Sequence, residues 1–146
     1  MGIADNFSPT GYHVLPAMIR RYEEARISGA ESVTNWGTGS PLREFLHVDD
    51  MAEACLHLLE HYDGTEHVNV GTGEDISIAD LARLIAELTG FRGRVAFDAT
   101  KPDGTPRKLM DVTKLADAGW TARIPLQEGL QSTVEWFREH QDGIRE

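Results

Sequence analysis

The stretch Asn35-Trp36-Gly37-Thr38-Gly39-Ser40-Pro41-Leu42-Arg43-Glu44-Phe45-Leu46-His47-Val48-Asp49-Asp50 decides how the chain is organised. Gly37 and Gly39 permit backbone angles closed to other residues, and Pro41 stiffens the exit, so the stretch opens as a turn. Residues 44–48 read as a short strand, with Phe45, Leu46 and Val48 bracketing His47. Asp49 and Asp50 then stand where helix N-caps stand, ahead of Met51-Ala52-Glu53-Ala54. Between the ordered elements lie one indole, Trp36, and one guanidinium, Arg43. An indole can stack on a nucleobase, and a guanidinium fork fits phosphate oxygens. The plainer alternative is a surface hairpin with an incidental Trp and Arg.

Working outward, residues 32–34 form a strand leading into this loop. A helix over residues 50–61 follows it, with Met51, Ala54, Cys55, Leu58 and Leu59 as its expected buried face. Upstream, residues 1–11 read as irregular, with Asp5-Asn6 and Ser8-Pro9-Thr10-Gly11 as turn signals. Residues 12–28 read as a helix with Pro16 in its first turn and Gly29 as its stop. On it, His13, Ala17, Arg20 and Arg21 fall on one stripe, bringing an imidazole near two guanidinium groups. A solvated stripe whose arginines pair with Glu23 and Glu24 is the other possibility.

Downstream, residues 67–70 read as a strand ending at Gly71-Thr72-Gly73. A Gly-x-Gly after a strand can hold phosphate, but no helix begins there, so a simple turn fits equally. Ser77 and Asp80 form a capping-box variant for a helix over 78–88 that Gly90 stops. A strand over 94–97 leads to Lys101-Pro102-Asp103-Gly104-Thr105-Pro106-Arg107-Lys108. Two prolines and a glycine exclude regular structure there, and the loop is the densest positive patch in the chain: a solvated turn or a ligand clamp. Asp111 caps a short helix reaching 118, and Pro125 opens a last helix with Leu126, Leu130, Val134 and Phe137 inward. Residues 140–146 read as a polar tail. Alternating strands and helices predict an α/β fold in one region spanning 1–146.

Composition narrows the function. The 146 residues are 40% hydrophobic and 26% charged, a globular balance, and carry a formal net charge of −10. That charge argues against nucleic acid or an anionic membrane surface as partner. The lone cysteine, Cys55, reads as an ordinary buried helical position, and no apolar run approaches membrane length, so a cytoplasmic protein is expected. The six histidines are largely scattered along the chain, so no metal site is expected.

Taken together, Asp5-Asn6-Phe7, His13 to Arg21, Trp36 to Asp50, Asn69 to Gly73, the loop 101–108 and Gly119-Trp120 resemble the C-terminal half of the GDP-L-fucose synthase family, extended short-chain dehydrogenases/reductases. The resemblance covers nearly the whole chain. The Arg-Glu-Phe-x-x-Val-Asp-Asp part is shared widely among nucleotide-sugar epimerases and dehydratases; the 101–108 loop and the His-Val-x-Pro-Ala helix start are more specific. The resemblance implies a Rossmann-like family fold, NADP as cofactor, a GDP-sugar as substrate and a homodimer whose helices belong to the other half. It implies His13 as proton donor in epimerisation, also near the cofactor, a task suited to an imidazole that titrates near neutral pH. Arg21 would bind substrate, Val14 and Met18 would line the nucleotide pocket, and Trp36 would meet the guanine. Arg43 and Lys108 would hold the diphosphate, and Asp103 would meet the substrate's polar groups.

Two departures bear on activity. Tyr12 stands where the family commonly has Ser. The family's Gly-x-x-Gly-x-x-Gly loop, its catalytic Ser and Cys and its Tyr-x-x-x-Lys pair are absent from these residues: Tyr12, Tyr22 and Tyr62 are followed four residues on by Pro16, Arg26 and Glu66. The chain is therefore expected to hold most of a substrate pocket, one acid catalyst and no reduction chemistry. Two rivals stand beside this reading: a portion of another nucleotide-sugar epimerase or dehydratase, and a non-catalytic nucleotide-sugar binding remnant.

Overall fold

The computed structural model describes residues 1, 2, 5, 7 and 13–141. Expectations resting on Asn6, on Ser8-Pro9-Thr10-Gly11, on Tyr12 as a helix start and on the tail from 142 onward lie outside the described residues. The elements in order are α1 (Val14–Ser28), β1 (Ser32–Trp36), β2 (Leu42–Arg43), α2 (Val48–His61), β3 (Ile76–Ser77), α3 (Ile78–Thr89), β4 (Arg94–Asp98), β5 (Arg107–Lys108), α4 (Thr113–Asp117) and α5 (Leu126–His140).

β1 and β4 pair in parallel, from Ser32 opposite Arg94 to Trp36 opposite Asp98. α3 precedes β4 and packs against α1, so the helices cover this ribbon. A second sheet is ordered β3-β2-β5: β2 runs antiparallel to β3 and parallel to β5.

The main core lies between α1, α3 and α5. Leu15, Ile19 and Tyr22 of α1 meet Leu81 and Ile85 of α3 and Leu130, Val134 and Phe137 of α5, all buried. Each such aliphatic or aromatic side chain contributes about 1.5–3 kcal/mol on leaving water. Pro16 sits in the first turn of α1 and is buried. Gly29 ends that helix at φ 66°, and Ala30 N–H reaches back to the Ala25 carbonyl at 2.9 Å, a left-handed stop that a side chain would strain. Ser77 caps α3, its Oγ accepting from Asp80 N–H at 3.0 Å.

Glu23 is fully buried in this core and ties it together. Its carboxylate accepts from Arg26 at 2.5 Å and from Arg138 of α5 at 3.0 Å, while Arg138 also donates to the Thr89 carbonyl at 2.8 Å, the last residue of α3. Burial alone would raise the pKa of Glu23. The hydrogen bonds from Arg26 and Arg138 outweigh it and hold the carboxyl below the usual glutamate range.

Several expectations need correction. Residues 44–47 are not a strand: the ladder ends at Arg43, because Glu44 spends its side chain elsewhere and His47 begins the helix. The N-cap of α2 is His47, whose Nδ1 accepts from Asp49 N–H at 3.2 Å, not Asp49 or Asp50. Asp50 is 2% exposed and instead accepts from the backbone N–H groups of Arg123 and Ile124, at 3.1 and 2.9 Å, latching the entrance of α5. The expected buried face of α2 is not buried. Only Asp50 and Ala54 are, while Cys55, Met51 and Leu59 are exposed, because no described element packs over them. Residues 67–70 carry no ladder among the described residues. Val68 and Val70 pack instead on a small second cluster of Ala54, Leu115 and Trp120. The short helix α4 has Val112 as N-cap residue, with Asp111 one place further out, its Oδ1 accepting from Thr113 N–H at 2.9 Å.

Candidate functional site

The loop after β1 brings together residues that are distant in sequence. Val14, Met18 and Arg21 from α1, Trp36 from the end of β1, Arg43 from β2 and Asp103 from the 101–108 loop all line one cleft of about 320 Å³. Ala17, Asn35 and Ile78 complete its lining. Trp36 is 70% exposed, so its indole face is open to a stacking partner. A neighbouring cleft of about 400 Å³ shares Val14 and Arg43 with the first and adds His13, Glu44 and Phe45. His13 is exposed and precedes the first residue of α1, making no side-chain cap. The imidazole and the indole thus belong to adjoining clefts that meet at Val14 and Arg43.

Lys108 lines neither cleft. It occupies the β2–β5 rung opposite Arg43, so the two bases are strand neighbours. Leu42 N–H donates to the Pro106 carbonyl at 2.8 Å, anchoring the loop's end at the same place.

Most of the chain's described cations outside the site are paired, Arg92 and Arg94 being exceptions. Arg20, Arg26, Arg107, Arg123 and Arg138 each meet a carboxylate. Among the described residues, Arg21, Arg43, Lys101 and Lys108 meet none: Arg43 donates to its neighbour's carbonyl, Leu42 O, at 2.7 Å, and Arg21 reaches Thr34 O at 3.5 Å. Lys101 Nζ lies over the Trp36 ring, 5.6 Å from its centroid. In a chain with net charge −10, these cations are left without acids around an exposed indole, an arrangement whose chemistry suits an anion attached to an aromatic ring.

Asp103 is already engaged. Its carboxylate accepts from Thr38 N–H and Thr38 Oγ1, fastening the loop to the glycine turn. Sequence reading assigned it to substrate alone. The fastening was readable only in part, from an acid in a proline-stiffened loop. Asn35, Ala17 and Ile78 were missed as cleft residues; apolar or amide side chains inside regular elements give no signal of their own. Glu44 was missed altogether.

The described residues do not build a dinucleotide site. Both Gly-x-Gly turns are closed by carboxylates: 37–39, after β1, by Asp103, which accepts from Thr38 N–H at 2.6 Å, and 71–73 by Glu44, which accepts from Thr72 and Gly73 N–H at 2.6 and 2.8 Å. A Cβ at Gly71 would stand 2.3 Å from Glu44 Oε1, so the turn closes on this side chain with no room for a phosphate. No cluster of His, Cys, Asp or Glu suited to a metal occurs among the described residues, and none of their helices is long and apolar enough to cross a membrane.

Residues 2–71 match the NAD dependent epimerase/dehydratase family. Over those residues the chain is similar to that family, the extended short-chain dehydrogenases/reductases. Within it the chain is similar to enzymes named GDP-L-fucose synthase: it is 57% identical to GDP-L-fucose synthase 1 of Arabidopsis thaliana over 93% of its own length and 42% of that enzyme's. To the GDP-L-fucose synthase of Escherichia coli it is 52% identical over 99% of this chain and 48% of the relative. A GDP-L-fucose synthetase from Naegleria fowleri, solved bound to NADP, superposes with a TM-score of 0.92 at 30% identity, over 100% of this chain and 46% of that one. NADP is accordingly the family cofactor, and the chain spans less than half the length of these relatives.

Proposed function

We propose that residues 1–146 act as the substrate-binding region of a GDP-L-fucose synthase, which converts GDP-4-keto-6-deoxy-D-mannose to GDP-L-fucose by 3,5-epimerisation and NADPH-dependent reduction. The observation that carries this is the cleft in which Trp36 is exposed beside Arg21 and Arg43, neither paired with an acid among the described residues. Guanine stacks on the indole, with Val14 and Met18 as the apolar wall, and the diphosphate meets Arg43 and Lys108. Arg21 meets the substrate from α1, and Asp103 combines contact to its polar groups with holding the loop.

His13, in the adjoining cleft, donates the proton that an epimerised carbon takes up. It stands beside Glu44 and Arg43 at the end where the sugar would extend beyond the diphosphate. His13 is also the one residue of this chain proposed to lie near the cofactor. The remaining residues supply neither a cofactor loop nor Tyr-x-x-x-Lys, so the chain alone binds without reducing. A cytoplasmic setting, expected from the lack of a long apolar run, and a homodimer, implied by the family resemblance, belong to the same proposal.

Calorimetry of the purified chain with GDP, UDP and free hexose tests the reading. GDP binding well above UDP, with no measurable hexose binding, is expected. Equal affinity for all three would count against it.

A further inference from the structure

β2 and β5 are joined by only two rungs, Leu42 opposite Arg107 and Arg43 opposite Lys108. So short a ladder is weak by itself, yet it sets the spacing of the two bases proposed to hold the diphosphate. The connection beyond it is made by a side chain. Glu44 Oε2 accepts from Met110 N–H at 2.9 Å, two residues past Lys108, while Oε1 accepts from Thr72 N–H, Gly73 N–H and, at 3.3 Å, Thr72 Oγ1. One carboxylate therefore joins three segments: the exit of β2, the turn 71–73 and the end of the 101–110 loop. Charge-assisted bonds to backbone N–H groups are the strong kind, and here they fix the residue next to Arg43.

We infer that Glu44 is a positioning residue for diphosphate recognition: it locks β2 to the segment after β5, so that Arg43 and Lys108 face the same two phosphates. The inference rests on the GDP-binding reading above. It distinguishes Glu44 from a carboxylate that merely supports the fold. A general support would affect every ligand of the cleft alike, whereas a spacer between Arg43 and Lys108 affects only ligands carrying the diphosphate. Trp36 and the apolar wall hang from β1 and α1, whereas the hydrogen bonds of Glu44 go to Thr72, Gly73 and Met110, so the base subsite keeps its own hydrogen bonds without it.

The test compares GDP with guanosine by calorimetry in wild type, Glu44→Gln and Met110→Pro, with thermal melting to confirm folding. Glutamine keeps the shape but sets an NH2 donor against backbone N–H donors. Proline removes the donor to Oε2, fixes the backbone at 110 and leaves the Glu44 cradle at Thr72 and Gly73 in place, so with its own melting check it serves even if Glu44→Gln folds poorly. Both variants are expected to weaken GDP by about tenfold while guanosine changes by less than about twofold. Parallel losses for GDP and guanosine, or unchanged GDP affinity in the folded variants, overturn the inference and leave the GDP reading standing. A wild-type chain that does not prefer GDP to guanosine overturns the GDP reading and this inference with it.

Discussion

Asp103 grips Thr38 with both carboxylate oxygens, Oδ1 accepting from the Thr38 N–H at 2.6 Å and Oδ2 from the Thr38 hydroxyl at 2.7 Å, across 65 residues of chain. The grip makes the basic loop and the indole one unit, since Lys101 of the loop also lies over Trp36. It depends on Gly37. This glycine has φ 82°, and a Cβ there would stand 2.2 Å from Asp103 Oδ1. Gly37→Ala is therefore expected to destabilise the chain by about 1–2 kcal/mol from the backbone alone and to free the loop by collision. Thermal melting and GDP titration should fall together. A variant that melts and binds like wild type would contradict the coupling.

Arg43 lines both adjoining clefts and has only a carbonyl as partner among the described residues, so its charge is available to a ligand. A charge-assisted hydrogen bond contributes about 1.5–3 kcal/mol. Arg43→Ala should weaken GDP binding by roughly tenfold or more, and Arg43→Lys by less, since lysine keeps the charge but loses the fork. Calorimetry giving the same GDP affinity for wild type and Arg43→Ala would speak against a diphosphate at this position.

How far the sequence could be read follows from what kind of signal each residue leaves. Periodic helices with end signals, such as α3 between Ser77 and Gly90, were legible, because burial and capping leave local patterns. Trp36 and Arg43 stood out because an indole and a guanidinium flanking a glycine- and proline-rich turn have few structural uses. Glu44 and Asp50 were not. Both are acids bonded to backbone N–H groups 28 and 73 residues away, and a long-range acceptor leaves no local pattern. Asp50 was mistaken for a cap for this reason: it has the right residue type at a helix start, but tertiary contacts claim its carboxylate. The 44–48 strand failed on alternation alone, since Phe45 and Leu46 pack against two different clusters from irregular backbone.

Glu23 sets the acid limit of stability. Its folded-state pKa is depressed, so its contribution is complete above the unfolded glutamate value, about pH 4.3, and is lost as pH falls through the lower folded value. Glu23→Gln removes the contribution at all pH values. Wild type should therefore exceed the variant in stability by about 1–3 kcal/mol near pH 7, with the gap closing below about pH 4. Urea unfolding at pH 7 and at pH 3 measures this directly. A gap that stays constant, or widens on acidification, would be inconsistent with the Glu23–Arg26–Arg138 cluster.

The last expectation concerns α2. Val48, Met51, Ala52, Cys55, Leu56 and Leu59 recur at spacings of one to four residues that place them on one side of the helix, and every one is exposed, Leu59 at 83%. The opposite side holds Asp50 and Ala54, facing the small cluster around Trp120. An apolar stripe of this kind is a site for association, and residues 67–70, which pack on the same small cluster as Ala54, have no ladder partner among the described residues. Leu81 and Ile85 of α3 and Leu130, Val134 and Phe137 of α5 form the ordered core of the second half of the chain. The structure adds α1 to that core through Leu15, Ile19 and Tyr22, so the weakly held region narrows to residues 48–70. In a dilute monomer, hydrogen exchange should therefore be slow in α1, α3 and α5 and fast from 48 to 70, apart from amides near Ala54. At higher concentration the chain should self-associate in sedimentation experiments. The pair Leu56→Lys and Leu59→Glu should abolish association with little change in melting, because neither side chain belongs to a buried cluster. Strong, uniform protection from 48 to 70 in a dilute monomer would show that the stripe is stable in water without a partner. Association that survives both substitutions would place the contact on another face.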